Sequence, residues 1–160
     1  MTRLAEVQPR LQFLARVIER ECHHLQITDR RLFPQPFTAH DAEKLDADVE
    51  LSERAEAFVS RFGRLQDTIG DKLLPAYLTA AEETPGLAVD NLDRAERLGL
   101  LGSTEQWFAL RKLRNQMVHE SIEDPHILAD ALNGGHEAVP ILVETAGRLL
   151  SDMRKRGWIT

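Results

Sequence analysis

Residues 103–121, STEQWFALRKLRNQMVHES, carry the clearest helical pattern in this chain. At about 100° per residue, Leu110, Leu113 and Met117 fall on one stripe, which is predicted to face a hydrophobic core. Ser103 is a typical N-cap residue, so the helix is predicted to begin directly after it. The sequence therefore predicts an amphipathic helix that runs to the end of this segment.

The same helix carries a second apolar face on its far side. Trp107 and Val118 lie there, alongside Arg111, Arg114 and Asn115. One bundle core does not account for two apolar faces. The second face is therefore either a subunit interface, which predicts a homodimer, or a surface covered by another helix of the same chain.

Helical spacing also dominates the rest of the chain, and no alternating run of useful length predicts a strand. Further helices are predicted over residues 3–24, about 41–83, about 91–100 and from 124 through the C-terminal part, with 25–38 as a connection. There is no internal repeat and no linker long enough to separate two domains. Residues 1–160 are thus predicted to form a single all-α domain, an up-and-down helical bundle.

Glycine and proline mark the expected ends of these helices. The region 41–83 is expected to kink or break between residues 60 and 80, where Gly63, Gly70 and Pro75 occur. Gly102 is predicted to end the third helical segment, about 91–100. The run 133–135, Asn-Gly-Gly, is predicted to interrupt the last helix.

The composition is that of a globular protein, with 42% hydrophobic and 29% charged residues. No run of about 18 apolar residues occurs, so no membrane span is predicted. The N-terminal segment carries charges throughout its apolar pattern, unlike a signal peptide. Cys22 is the only cysteine, so no internal disulfide is available. These features predict a cytoplasmic protein.

The histidines are not spaced like a metal site. His23 and His24 are adjacent, so a helix points them about 100° apart, and a contact with the C-terminal dipole of the first helix is the better interpretation. His40, His126 and His136 have no partner at a ligand spacing such as His-x3-His. No bound metal and no cofactor are expected.

Charge is unevenly distributed along a chain whose net charge is −6. Residues 41–56 hold seven acids against two bases, whereas residues 94–114 hold five bases against two acids. The acidic stretch is interpreted as a solvated face or as a surface for a basic partner. The basic stretch is either a local phosphate site or a solvated helix face.

Three residues of the quoted helix suit phosphodiester chemistry. Asn115 and His119 are four apart and so lie side by side, whereas Arg114 lies about 140° around a regular helix from His119. A guanidinium pairs with phosphate oxygens, and an imidazole moves protons near neutral pH. On the residues alone, a lone histidine at a helix end is more often a cap or a surface residue.

The segment LRKLRNQMVHE, residues 110–120, resembles the Arg-x4–6-His signature of the HEPN superfamily, in the form Arg-Asn-x3-His of the HepT-like toxins. SRFGRLQDTIGDKLLP, residues 60–75, is similar to the helix that precedes this motif in those proteins. HESIEDP, residues 119–125, is similar to the segment with which the motif ends and the chain leaves the motif helix in those proteins. At the level of helix order, the resemblance extends from about residue 40 to 150.

This resemblance implies a HEPN-type helical bundle that works as a homodimeric, metal-independent endoribonuclease and as the toxin of a toxin–antitoxin pair. Arg114 and His119 of both subunits would line one cleft at the dimer axis. The ribose 2′-OH would attack the adjacent phosphate, with His119 as acid or base and Arg114 stabilising the developing charge. Asn115 would orient one of these groups.

Four further cations are candidates for holding RNA. Arg111 and Lys112 lie one turn or less before the motif, within the basic stretch. Arg61 and Arg64, followed by Asp67, either hold RNA or form an exposed ladder of charges.

The chain departs from the family pattern at Ser121. Many HepT toxins have tyrosine there, and a nucleotidyltransferase antitoxin attaches AMP to it. Neutralisation is therefore expected to depend on complex formation, although the Ser121 hydroxyl remains a candidate acceptor. Two alternatives stay open: a non-catalytic HEPN module that binds a nucleotidyltransferase, and a helical interaction protein in which Arg114 and His119 only make interface hydrogen bonds.

Overall fold

A computed structural model describes residues 2–120 and 123–160, except for the side chains of residues 119 and 120. The α-helices are α1 (Arg3–Leu32), α2 (Ala39–Glu43), α3 (Val49–Asp67), α4 (Leu74–Ala80), α5 (Ala88–Arg97), α6 (Thr104–Asn115) and α7 (Pro125–Lys155). Two π-helical segments, Thr68–Leu73 and Gln116–Glu120, follow α3 and α6. No strand occurs in the described ranges, so the all-α prediction is confirmed.

The buried side chains of the described residues form one contiguous cluster. The long helices α1, α3 and α7 pack against one another around it, with α4 and α6 at their flanks. Residues such as Ile18, Phe58, Phe62 and Leu142 are completely buried there. Within the same ranges, no helix is long and apolar enough to cross a membrane.

The first helix is longer than predicted. It continues to Leu32, so the predicted connection over 25–38 shrinks to residues 33–38. The reason is that Leu25 and Leu32 extend the stripe of Leu11 and Ile18 at seven-residue steps, and all four are buried. His23 and His24 consequently lie in the middle of α1, and their interpretation as a contact with a helix end was wrong.

In the region 41–83, the regular α-helix is interrupted between residues 60 and 80 as expected, and also once earlier. Its first interruption comes at residues 44–48, after which the Asp48 carboxylate caps α3 by accepting from the Leu51 N–H at 3.0 Å. α3 passes Gly63 without interruption and widens into the π-helical segment Thr68–Leu73. Pro75 explains the widening, because its ring has no N–H and crowds the preceding turn of a regular helix.

α5 ends at Arg97 and closes on Gly99, not on Gly102 as predicted. Gly99 adopts a left-handed φ of 76°, and the Leu100 N–H then donates to the Ala95 carbonyl at 3.0 Å. This is the arrangement in which a helix most commonly closes on a glycine. The turn lets the chain reverse before Ser103, which caps α6 as predicted, by accepting from the Gln106 N–H at 3.1 Å.

The last helix passes through residues 133–135 without the predicted interruption. The side chain of Asn133 makes two 2.8 Å hydrogen bonds with the backbone of Phe37, so it anchors the connection after α1 instead of breaking α7. The two glycines allow close packing: a Cβ at Gly134 would lie 3.2 Å from Leu113, and one at Gly135 would lie 3.1 Å from the Met117 sulfur. These residues therefore bring α6 and the following segment against α7.

Candidate functional site

The two segments on which the family resemblance rests lie side by side in the fold. α6 contacts α3 and its π-helical extension, and the order of contacts is antiparallel. Arg111 lies against Asp71, Trp107 against Gly70, and Arg114 against both Asp67 and Gly63. Residues 60–75 therefore form the supporting wall for the motif helix.

Arg114 is the candidate-site side chain whose position is fixed by contacts with α3. Its Nη1 donates to the Asp67 carboxylate at 2.7 Å, and its side chain is 31% exposed. The guanidinium lies directly over Gly63, where a Cβ would come within 2.5 Å of the Arg114 Nε. Gly63 thus leaves the space in which the Arg114 guanidinium lies, and the Asp67 carboxylate fixes the direction of that guanidinium. Part of the guanidinium stays accessible to an anion.

Neither Asp67 nor Gly63 was assigned to the site from the sequence. Gly63 was interpreted as a kink, and Asp67 as part of an exposed ladder of charges. The signal was nevertheless present, because Gly63, Asp67, Gly70 and Asp71 recur at three- and four-residue steps and so share one face.

The other basic candidates divide into two groups. Arg111 is close to Arg114 and lies 3.7 Å from the Asp71 carboxylate, while Lys112 is exposed. Arg61 instead faces α1, where it donates to the His24 carbonyl at 3.2 Å and to the Thr28 hydroxyl.

Arg64 also belongs to the α1 side of the molecule. It is exposed and donates to the Ser60 hydroxyl at 3.3 Å. Its charge reaches Glu21 of α1, where it partly offsets the burial that raises the pKa of that carboxyl. The structure therefore does not bring Arg61 or Arg64 to Arg114.

The motif itself crosses a change of helix type. Regular α-helix ends at Asn115, which is exposed, and residues Gln116–Glu120 wind as a π-helix. The predicted angle of 140° between positions 114 and 119 assumed a regular helix. In a π-helix each turn takes more residues, so position 119 comes closer to the face of Arg114 than that angle implies. The His119 side chain and Ser121 lie outside the described part of the structure.

The second apolar face of the motif helix is smaller than predicted. Trp107 is only 1% exposed, packs on Gly70 and uses its carbonyl to accept from the Gln66 side chain at 3.3 Å. It is a core residue of the same chain, so its interpretation as part of a subunit interface was wrong. Val118 remains 41% exposed, and Phe108, which the sequence analysis did not single out, is 39% exposed.

The described residues contain no group of three or more histidine, cysteine, aspartate or glutamate side chains arranged to hold a metal ion. Comparison of the chain with protein-family models, curated proteins and solved structures found no match.

Proposed function

We propose that this protein is a metal-independent endoribonuclease of the HepT-like type, acting on RNA in the cytoplasm. The observation that carries the proposal is the state of Arg114: a partly exposed guanidinium, oriented by Asp67 at 2.7 Å and placed over Gly63. An arginine used only for packing would not need an ion-pair partner and a cleared backbone position while keeping one face accessible. His119 follows it on the π-helical segment.

In the proposed reaction, the ribose 2′-oxygen forms a bond to phosphorus and the bond from phosphorus to the 5′-oxygen breaks. One group accepts the 2′-OH proton and another protonates the leaving 5′-oxygen, which yields a 2′,3′-cyclic phosphate and a free 5′-hydroxyl. His119 performs one of these transfers, for which the pKa of an ordinary imidazole is suited. Arg114 stabilises the charge that builds up on the phosphate, and Asn115, exposed beside it, orients substrate or imidazole.

The two proton transfers favour a homodimer, in which a second copy of the chain supplies the second histidine at a shared cleft. Phe108 is the large apolar side chain that remains exposed on α6 itself, and it is the candidate contact between the two copies. Light scattering at micromolar concentration is expected to give about twice the chain mass of 18.1 kDa. A strictly monomeric protein would contradict the composite site.

We further propose that the ribonuclease is a toxin and that a nucleotidyltransferase-type antitoxin neutralises it by binding. The serine at position 121 is shorter and far less acidic than a tyrosine, so AMP transfer to it is disfavoured. The exposed acids of region 41–56, among them Glu43, Asp46 and Glu50, offer a surface for a basic partner. Intact-mass spectrometry after co-expression with the antitoxin is expected to give the unmodified chain in a stable complex.

A second candidate function is favoured by a specific feature of the same site. The Asp67 carboxylate compensates the Arg114 charge, and a compensated guanidinium attracts phosphate less strongly. Together with the missing tyrosine, this fits a non-catalytic HEPN module that binds a nucleotidyltransferase. The two candidates differ in whether the isolated protein cleaves RNA.

Growth of bacteria that express the protein alone separates them. We expect growth arrest with the wild type and relief with Arg114→Ala or His119→Ala, because loss of one acid–base group lowers a rate by about 10² to 10⁴. Arg148→Ala, which removes an exposed arginine of α7, is the matched control and should remain toxic. Circular dichroism establishes that each variant is folded. If folded His119→Ala stays fully toxic, the ribonuclease proposal fails.

A further inference from the structure

A groove of about 450 Å³ lies next to the candidate site. It is bounded by α3, the π-helical segment after α6, the start of α7 and the connection before α3. Its apolar walls include Val59, Met117, Val118 and Leu128. Two of these residues immediately precede His119 in the chain, so the groove opens where the motif ends.

One edge of the groove is polar. Ser52, Glu56 and Ser60 line it at four-residue steps along α3, which places them in one row. Glu56 is exposed and has no hydrogen-bond or ion-pair partner among the described residues. Apolar walls with a row of acceptors along one edge suit a flat heteroaromatic ring, whose faces are apolar and whose edge donates hydrogen bonds.

The groove and Arg114 are correctly spaced for one nucleotide. Ser60 precedes Gly63, on which the Arg114 guanidinium rests, by three residues, and Glu56 precedes it by seven. Along a helix these steps correspond to about 4.5 Å and about 10 Å. A phosphate on Arg114 therefore leaves room for its own ribose and base to reach the groove.

We infer that the groove binds the base of the nucleotide on the 5′ side of the cleaved bond, and that it prefers guanine; this inference rests on the proposed function. The Glu56 carboxylate is acceptor-only, and guanine presents two adjacent N–H donors that it can bind together. Adenine, cytosine and uracil each place a ring or carbonyl acceptor beside their donor, which opposes the carboxylate. A helix of a second copy is a poorer occupant, because it would bury the Glu56 charge.

The test is titration of the purified protein with the four nucleoside 3′-monophosphates, followed by calorimetry. Guanosine 3′-monophosphate is expected to bind about tenfold more tightly than the adenosine compound, within the range of one bidentate contact to a base. Glu56→Gln should remove most of this preference. Glu53→Gln, the same change on the opposite flank of α3, is the control and should retain it.

Equal affinity for all four nucleotides, or a guanine preference that survives Glu56→Gln, would overturn the inference. So would a groove that is closed by dimerisation, which would appear as absent nucleotide binding together with stronger self-association of Glu56→Gln. Failure of the proposed function is a separate result: guanine preference without any RNA cleavage keeps the groove assignment and rejects the ribonuclease. RNA cleavage without base preference keeps the ribonuclease proposal and rejects the groove assignment.

Discussion

Gly63→Ala separates the geometry of the site from the stability of the fold. The added Cβ would lie 2.5 Å from the Arg114 Nε and 2.9 Å from its Cζ, whereas ordinary contacts begin at 3.4 Å. The guanidinium must therefore move by about 1 Å, and a misplacement of that size in a catalytic group costs about 10² in rate. We expect kcat for RNA cleavage to fall by about that factor.

Stability should not fall with it. Alanine in the interior of α3 is favoured over glycine by about 1 kcal/mol. The ion pair between Arg114 and Asp67, in which both side chains are about one-third exposed, is worth about 0.2–1 kcal/mol. The two effects nearly cancel, so the free energy of unfolding should stay within about 1 kcal/mol of the wild type.

The assay pairs steady-state cleavage of a labelled RNA with urea unfolding followed by circular dichroism. Gly147→Ala is the matched control, because a Cβ at that position of α7 meets nothing within 4 Å. It should gain helix stability and keep full activity. A Gly63→Ala protein with wild-type kcat would refute the argument that the position of Arg114 matters, and one that is strongly destabilised would refute the packing analysis.

Three further outcomes are expected. Asp67→Ala should bind RNA more tightly but cleave it about tenfold more slowly, because it leaves the Arg114 charge uncompensated and the guanidinium without its hydrogen-bond acceptor. Unchanged binding and kcat in Michaelis kinetics would contradict this. Burial raises the pKa of the Cys22 thiol to about 11. Its reaction with a disulfide reagent at pH 8 should therefore be about 10²-fold slower in the native than in the unfolded chain. Equal rates in the two states would contradict this prediction. Gly99→Ala should lower the free energy of unfolding by about 1–2 kcal/mol, because alanine is strained at the φ of 76°; urea unfolding measures this, and no loss would show that the turn rearranges.

Periodicity predicted one side of the motif helix well. Leu110 and Met117 are buried as expected, and Leu113 packs against Gly134, because a 3.6-residue repeat fixes which side chains share a face. It did not indicate what covers the other face. Trp107 packs on Gly70 of the same chain and not on another subunit. Gly70 is distant from it in sequence and was interpreted only as a break in the helix.

Helix type and ion pairing could not be predicted for similar reasons. Nothing in the sequence of residues 116–120 marks a π-helix, because the wider winding reflects how the segment packs against α7. The pairing of Arg114 with Asp67 joins residues 47 positions apart, so it depends on the fold and not on local spacing. The resemblance concerns the order of the two segments along the chain and does not specify this contact.

The central claim is that Arg114 and His119 cleave RNA without a metal ion. Incubation of the purified protein with end-labelled RNA in excess EDTA, beside His119→Ala, tests it most directly. We expect the wild type to yield fragments that end in a 2′,3′-cyclic phosphate and the folded variant to be slower by at least about 10². Intact RNA with the wild type, or equal cleavage by both proteins, would contradict the claim.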